Sequence, residues 1–347
     1  MTRTQGTTRL DVCAMLLAAA LVLAIAVPSI LAAREDTRRG KCVDNLRQLG
    51  IALQAYHTQH GVLPPTAMGT DIEDLFGMGS GKETPLTNWV QILLPLLGEE
   101  ELARAFESGA PLSRESNAKA RTTQLSVVSC ASDTNNTPEN RYRRKTAEGL
   151  DVEYARGNYA LNAGTSSQCY FPGDLEHPCP NGFFTAWTPT LQAWGNGAAG
   201  FNKSFSLKDF PSGAGKSVAV DEIRAGLRPV DSRGVWSLGQ IGASTTYSHG
   251  LYGDDGGPNC GNERADDIAG CGELHEVFSV EDLRRQRMPC CSYCKQAEQA
   301  TARSLHPGGV NVLTLDGASH FIADNVDLNI WHAIHSREQF DEFKFPL

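Results

Sequence analysis

From Val12 to Ala33 the chain runs 22 residues without a charge, VCAMLLAAALVLAIAVPSILAA. As a helix rising 1.5 Å per residue that stretch is about 33 Å long, the thickness of a bilayer's hydrocarbon core. A cleavable secretory signal carries a shorter apolar run, about 7–15 residues. Ala24-Ile25-Ala26 matches the small-residue cleavage pattern and keeps signal-peptidase processing as the competing reading. The span divides the chain into a leader-like cytoplasmic segment (1–11), a transmembrane helix (12–33), an extension of that helix (34–63) and an extracytoplasmic domain (64–347). Membrane lipid is then a partner of residues 12–33.

The rest of the composition describes a globular domain with few open options. A net charge of −9 argues against a nucleic-acid partner, because phosphate binding needs a basic patch. Arg141, Arg143, Arg144 and Lys145 form a short basic cluster flanked by acids and read as a solvated loop. Ten cysteines are many for a reducing compartment. Cys13 lies in the apolar run and Cys42 in the helix extension, leaving Cys130, Cys169, Cys179, Cys260, Cys271, Cys290, Cys291 and Cys294 as disulfide candidates. Their pairing is open, since eight cysteines allow 105 connectivities. Cys291-x-x-Cys294 is one clean zinc knuckle, whereas a structural zinc wants two. Disulfides outside the cytoplasm are the preferred reading. Arg3 and Arg9 precede the span and Arg34, Arg38, Arg39 and Lys41 follow it, against the positive-inside rule. Cysteine usage is given more weight than this count, and it puts the bulk of the chain in the periplasm or beyond.

The start of the chain has a further pattern. Gly6 is followed by Thr7, Thr8, Arg9, Leu10 and Asp11, and the apolar run begins at once; Pro28 sits well inside it. Type IV prepilins are cut after such a glycine, with an acid five residues on. The stretch REDTRRGKCVDNLRQLGIALQAYHTQHGVLPP from Arg34 to Pro65 follows in register. Further along come Ser129 to Asp133, Gly157 to Asn162, Asp231 to Trp236, and Ser304 to Gly309. His306, nine residues, then Asp316-Gly317 completes the set. Together these resemble the pseudopilin-like family of planctomycete-type bacteria, the prepilin-type H-x9-D-G proteins, whose N-terminus is like that of the type II secretion pseudopilin G. The family's usual phenylalanine after the glycine is Thr7 here, and Arg9 adds a charge beside Asp11. The resemblance implies leader-peptidase processing at Gly6–Thr7, with Asp11 as the acid that pairs with a neighbouring subunit. It also implies a pilin-like α+β fold and, as partners, other pseudopilin-like subunits.

Leu46, Leu49, Leu53 and Tyr56 recur at three- and four-residue spacing, which predicts that the helix continues beyond the membrane with one apolar stripe on an antiparallel sheet. Gly61 and Pro64-Pro65 end it. A second helix is expected from Trp89 to Phe106, broken near Pro95 and Gly98. Strand candidates are Val127-Val128, Tyr159–Leu161, Phe183-Phe184, Ser217–Asp221 and Val235–Leu238. Val310–Ile322 reads as a hairpin, with Asp316-Gly317 as the centre of a type I′ turn, and Trp331–Phe340 as a closing helix.

Candidate sites are few. His306, Asp316 and Gly317 read as structural, with the His306 side chain bonding a loop carbonyl. Asp254, Asp255, Asn259, Asp266 and Asp267 could furnish oxygens for a hard cation, calcium being the cofactor such a set would take, although their spacing is not that of an EF-hand. No nucleophile elbow, zincin motif or phosphate loop is present, so no catalytic residue is assigned and no enzyme is expected. The expected function is that of a membrane-anchored, pseudopilin-like envelope protein of the cytoplasmic membrane, serving a type II secretion or type IV pilus-like apparatus. The alternative is an uncleaved, signal-anchored extracytoplasmic binding domain that does not assemble.

Overall fold

Helix α1 (Arg9–His60) is continuous over 52 residues, with Pro28 inside it. At 1.5 Å per residue it is about 78 Å long, more than twice a bilayer core. The computed structural model describes residues 9–69, 84–146, 148–165, 167–170, 192–247, 257–268, 270–292, 294 and 299–337. Phe183-Phe184, Asp254 and Asp255, Cys179, and Gly6 and Thr7 lie outside the described residues.

The two halves of α1 have opposite surroundings. Leu16, Leu17, Leu21, Leu23 and Ile25 are 60–72% exposed. Cys42, Leu46, Leu49 and Leu53, spaced by four, three and four residues, are 0–3% exposed. That spacing keeps one stripe on one side of a 3.6-residue helix. The helix stops at His60, where Gly61 takes φ +73°, a conformation that favours glycine.

Strands β1 (Ala67–Gly69) and β2 (Leu86–Asn88) pair antiparallel. The capping box of Asn88 with Gln91 then opens the helix Trp89–Leu93. Pro95 tightens the next turn, Leu94–Leu97, into a 3-10 helix, and left-handed Gly98 ends it before Glu100–Ala105. The expected break at Pro95 and Gly98 is thus present. Val127-Val128 is not a strand but part of a 3-10 turn, Ser126–Val128. A run of two β-branched residues is too short to overrule the turn that carries the chain under α1. Strands β3 (Tyr142–Lys145) and β4 (Asp151–Tyr154) make a two-stranded ribbon. It places the basic cluster against acids, with Arg143 2.7 Å from Glu153 and Lys145 2.9 Å from Asp151.

The central sheet starts with β5 (Tyr159–Asn162). Strands β6 (Ser167–Tyr170), β7 (Gln192–Gly195) and β8 (Gly200–Phe201) join β1 and β2 in a second sheet, in the order β2-β1-β8-β7-β6. Strands β9 (Val218–Glu222) and β10 (Thr245–Thr246) return to the central sheet. Val235–Leu238 between them makes one isolated bridge, Arg156 to Val235, rather than a strand. Its Trp236 is instead wedged against Gly157, where an added Cβ would lie 2.8 Å from the indole's own Cβ. Strands β11 (Asp266–Asp267) and β12 (Gln299–Ala300) pair beside the short helices Cys271–His275 and Val280–Arg285. Disulfides Cys271–Cys290 and Cys291–Cys294 tie this insertion.

Strands β13 (Gly309–Thr314) and β14 (Ser319–Ala323) complete the central sheet in the order β10-β5-β9-β13-β14, antiparallel except at β10–β5. The expected hairpin forms, but not with a type I′ turn. That turn needs positive φ at both Asp316 and Gly317, and only Gly317 has it, at +88°. Gly317 N donates to Thr314 O at 2.9 Å, so the loop is a three-residue one with the glycine last. The Asp316 carboxylate fixes it, accepting from Thr314 Oγ1 at 2.6 Å and Ala318 N at 3.0 Å.

Alternation along β13 explains the layers. Val310 and Val312 point to Trp331 and Ile334 of the C-terminal helix Leu328–Ile334. Leu313 joins Leu46, Leu49 and Trp236 on the α1 side. This helix starts three residues before the expected Trp331 and ends at Ile334, with Phe340 outside the described residues; it is capped by Asp327, whose side chain accepts from Asn329 N at 2.8 Å. The architecture is α+β, with a long N-terminal helix and several small sheets.

Candidate functional site

Groups far apart in the chain converge where α1 leaves its exposed apolar half. Glu35 is on α1, Glu222 ends β9, and His306 precedes β13. The His306 ring is fully buried. Its Nδ1 donates to Glu35 Oε1 at 2.8 Å and its Nε2 to Glu222 Oε1 at 3.2 Å. His306 therefore bonds two carboxylates, not the loop carbonyl expected from sequence. Burial pushes its imidazolium to lose the proton, but the hydrogen bonds and charges of Glu222 and Glu35 outweigh this and hold its pKa above the ordinary 6.5. For Glu35, burial acts upward, and hydrogen bonds from Ser132, His306 and Arg38 reverse it to give a value below 4.5.

Each member has a second partner. Glu35 accepts from Ser132 Oγ at 2.8 Å and pairs with Arg38 at 2.6 Å. Glu222 accepts from Asn311 N at 2.7 Å and Asn311 Nδ2 at 3.0 Å. Arg39, whose Nε lies 3.4 Å from Asn311 Oδ1, stacks 3.8 Å over the Phe321 ring. Beside the histidine, Cys42 of α1 is bridged to Cys130, whose Sγ is 3.5 Å from His306 Nε2. Cys42 O accepts from the buried Tyr159 hydroxyl at 3.0 Å, and Asn45 Nδ2 donates to Ser129 O at 2.8 Å. Gly50 lets α1 cross the β13–β14 turn closely, since a Cβ there would be 3.2 Å from Gly317 Cα. Gln54 Nε2 then reaches Leu315 O. Charge, disulfide, apolar stripe and turn all grip the same helix.

The separate sequence landmarks meet one another here. Asn158 Nδ2 donates to Asp133 Oδ2 at 2.7 Å, and its Oδ1 accepts from Cys130 N at 3.0 Å. Asp133 also accepts from Ala225 N at 2.7 Å. Asp231 and Arg233 pair at 2.9 Å in full burial, and Asp266 Oδ2 bonds both Arg233 at 2.8 Å and Arg303 at 2.6 Å. Burial opposes the charge on Asp231, yet Arg233 and Arg156 hold its pKa below the usual carboxylate value.

Three of the five acidic-loop residues, Asn259, Asp266 and Asp267, are among the described ones. Asp266 already bonds two guanidiniums, and with Asp231 it balances the charges of Arg233 and Arg303. Asp267 Oδ2 accepts from Cys294 N at 3.0 Å, and Asn259 bridges Ser304 N at 2.8 Å to Asp324 at 2.7 Å. These three side chains are engaged in separate hydrogen-bonded sets rather than pooled around one point. Of the cysteines, Cys130, Cys271, Cys290, Cys291 and Cys294 are bridged, while Cys260 takes part in none of the three bridges and its Sγ accepts from Asn262 N at 3.4 Å. Cys169 is on β6 and Asp11 is in α1. The partner of Cys130 is Cys42, which the sequence reading left out of its candidates. Glu35 and Glu222 were missed as well, and no local spacing marks either one.

These features define a class: an α+β domain clamped onto a helix long and apolar enough to cross a membrane. The chain belongs to the family described as protein of unknown function DUF1559, whose model matches residues 31–329. No curated protein matches the chain, and no solved structure does.

Proposed function

We propose that this is a membrane-anchored, pseudopilin-like envelope protein, a subunit or accessory of a type II secretion or type IV pilus-like apparatus, with residues 64–347 outside the cytoplasmic membrane. One observation carries the reading: α1 is a single helix whose N-terminal half exposes an uncharged apolar surface while its C-terminal half is built into the domain. A helix divided this way transmits its position in the membrane to the sheet. It also leaves the first half open to lipid or to like helices. Gly6, Asp11 and Pro28 supply the prepilin-like pattern, and the H-x9-D-G residues supply the turn and the histidine that hold α1. Arg9 beside Asp11 favours a second reading, an anchored binding domain that does not assemble.

Membrane extraction and protease access on the full chain test the anchoring. The expected result is retention in the membrane pellet after alkaline washing, with the domain cleaved by protease added from outside the cytoplasm. Release into the wash, or protection of the domain until the cytoplasm is opened, would overturn the reading.

A further inference from the structure

Three groups of Cys, His and acidic side chains among the described residues come close enough to share an ion. They are Cys42, Cys130, Glu222 and His306; Cys271, His275 and Cys290; and Asp267, Cys291 and Cys294. The first alone offers four donors, all buried, with every ligand atom within 4.8 Å of the others. A tetrahedral zinc site with Zn–S near 2.3 Å and Zn–N near 2.0 Å has edges of about 3.3–3.8 Å. Cys130 Sγ to His306 Nε2 is 3.5 Å, and His306 Nε2 to Glu222 Oε1 is 3.2 Å. The outer partners are the kind that metal ligands use. Glu35 holds His306 by Nδ1 and so aims Nε2 inward, and Asn311 holds the Glu222 carboxylate through two hydrogen bonds.

We propose that on reduction of the Cys42–Cys130 bridge this cluster binds one zinc ion through Cys42 Sγ, Cys130 Sγ, His306 Nε2 and Glu222 Oε1, and that re-oxidation expels it. Reduction by an external dithiol delivers two electrons and two protons, breaking the S–S bond to two thiols while the dithiol becomes a disulfide. The ion displaces both thiol protons and the proton on Nε2, and Nδ1–H stays on Glu35. Re-oxidation by an external disulfide removes two electrons from the thiolates, re-forms the bridge, and returns Nε2 to a proton. Either bond type ties α1 to the loop that carries Cys130, so the anchor survives in both redox states. The four ligands come from α1, the loop after the 3-10 turn at 126–128, β9 and the entry to β13, which no short cysteine motif would reveal.

The test is cobalt(II) titration of the full chain in detergent, reduced with a phosphine, followed by zinc(II) competition. The expected result is one cobalt per chain, a thiolate-to-cobalt charge-transfer band, displacement by zinc, and loss of the band when a disulfide oxidant is added. Cys42→Ser abolishes the band. The combined Cys271→Ser, Cys290→Ser, Cys291→Ser and Cys294→Ser variant keeps it. Glu35→Gln leaves all four ligands in place and weakens binding about 10–100-fold. Near-UV circular dichroism of the buried Trp89 and Trp236 reports folding of each variant. Absence of the band in the reduced chain, its persistence in Cys42→Ser, or unchanged affinity in folded Glu35→Gln would overturn the proposal.

Discussion

The three bridges among the described residues close loops of very different length, which makes their removal a graded test of the fold. Cys42–Cys130 spans 88 residues, Cys271–Cys290 spans 19 and Cys291–Cys294 spans 3. A cross-link restricts the unfolded chain by an entropy that grows as the logarithm of the loop. At 25 °C that relation gives about 4.6 kcal/mol for the 88-residue loop, about 3.2 for the 19-residue loop and under about 2 for the shortest. The perturbation is each pair changed to alanine in turn, in the oxidised, metal-free full chain. Urea unfolding is followed by tryptophan fluorescence, since Trp89, Trp236 and Trp331 are all buried. With a slope of about 3 kcal/mol per molar urea, the midpoint falls by about 1.5 M for Cys42→Ala/Cys130→Ala and by about 1 M for Cys271→Ala/Cys290→Ala. Equal losses, or a larger one for the 19-residue loop, would run against a loop-entropy origin of the stabilisation. Such a result would mean that loop length does not set what each bridge contributes.

Other expectations follow from the same contacts. His306 has a raised pKa, so its contribution is complete below its unfolded value near 6.5 and is lost as pH rises through the folded value; Glu35, lowered, contributes fully above about 4.5 and loses this as pH falls. His306→Gln therefore destabilises the oxidised chain more at about pH 5.5 than at about pH 8.5, and urea midpoints showing the same difference at both would contradict this. Gly157→Ala forces a Cβ against Trp236 and costs about 1–3 kcal/mol, whereas Gly40→Ala, with nothing within 4 Å in the middle of α1, gains about 0.5–1 kcal/mol; thermal melts of the two variants should move in opposite directions. Asp266→Ala leaves Arg303 buried without its carboxylate partner and Arg233 with Asp231 alone, and lowers stability by about 3–5 kcal/mol, measured by urea unfolding; a loss below about 1 kcal/mol would show the lattice to be solvated.

What was legible in the sequence was whatever a periodicity or a breaker encodes locally. The stripe Leu46, Leu49, Leu53 carried the helix past its apolar run and named its buried face, and Pro95 with Gly98 marked the break between two short helices. Asp316-Gly317 announced the hairpin but not its turn, because the Asp316 carboxylate bonds Thr314 and Ala318 and selects the longer loop. Val235–Leu238 has the composition of a strand, yet its indole packing against Gly157 prevails over that preference. The buried cluster was hidden for a different reason. Positions 35, 42, 130, 222, 306 and 311 share no spacing, and only the sheet order β5-β9-β13 under α1 brings them together. His306 was visible as a motif residue, but its partners were not.

The mature N-terminus of the protein from native membranes, read by sequencing and intact mass, tests the pseudopilin-like account most directly. A pseudopilin-like subunit begins at Thr7 with a methylated amine, cut after Gly6 and keeping Asp11 at its fifth position. A chain beginning at Met1 or Thr2 would contradict it and leave the anchored binding domain as the reading of the fold.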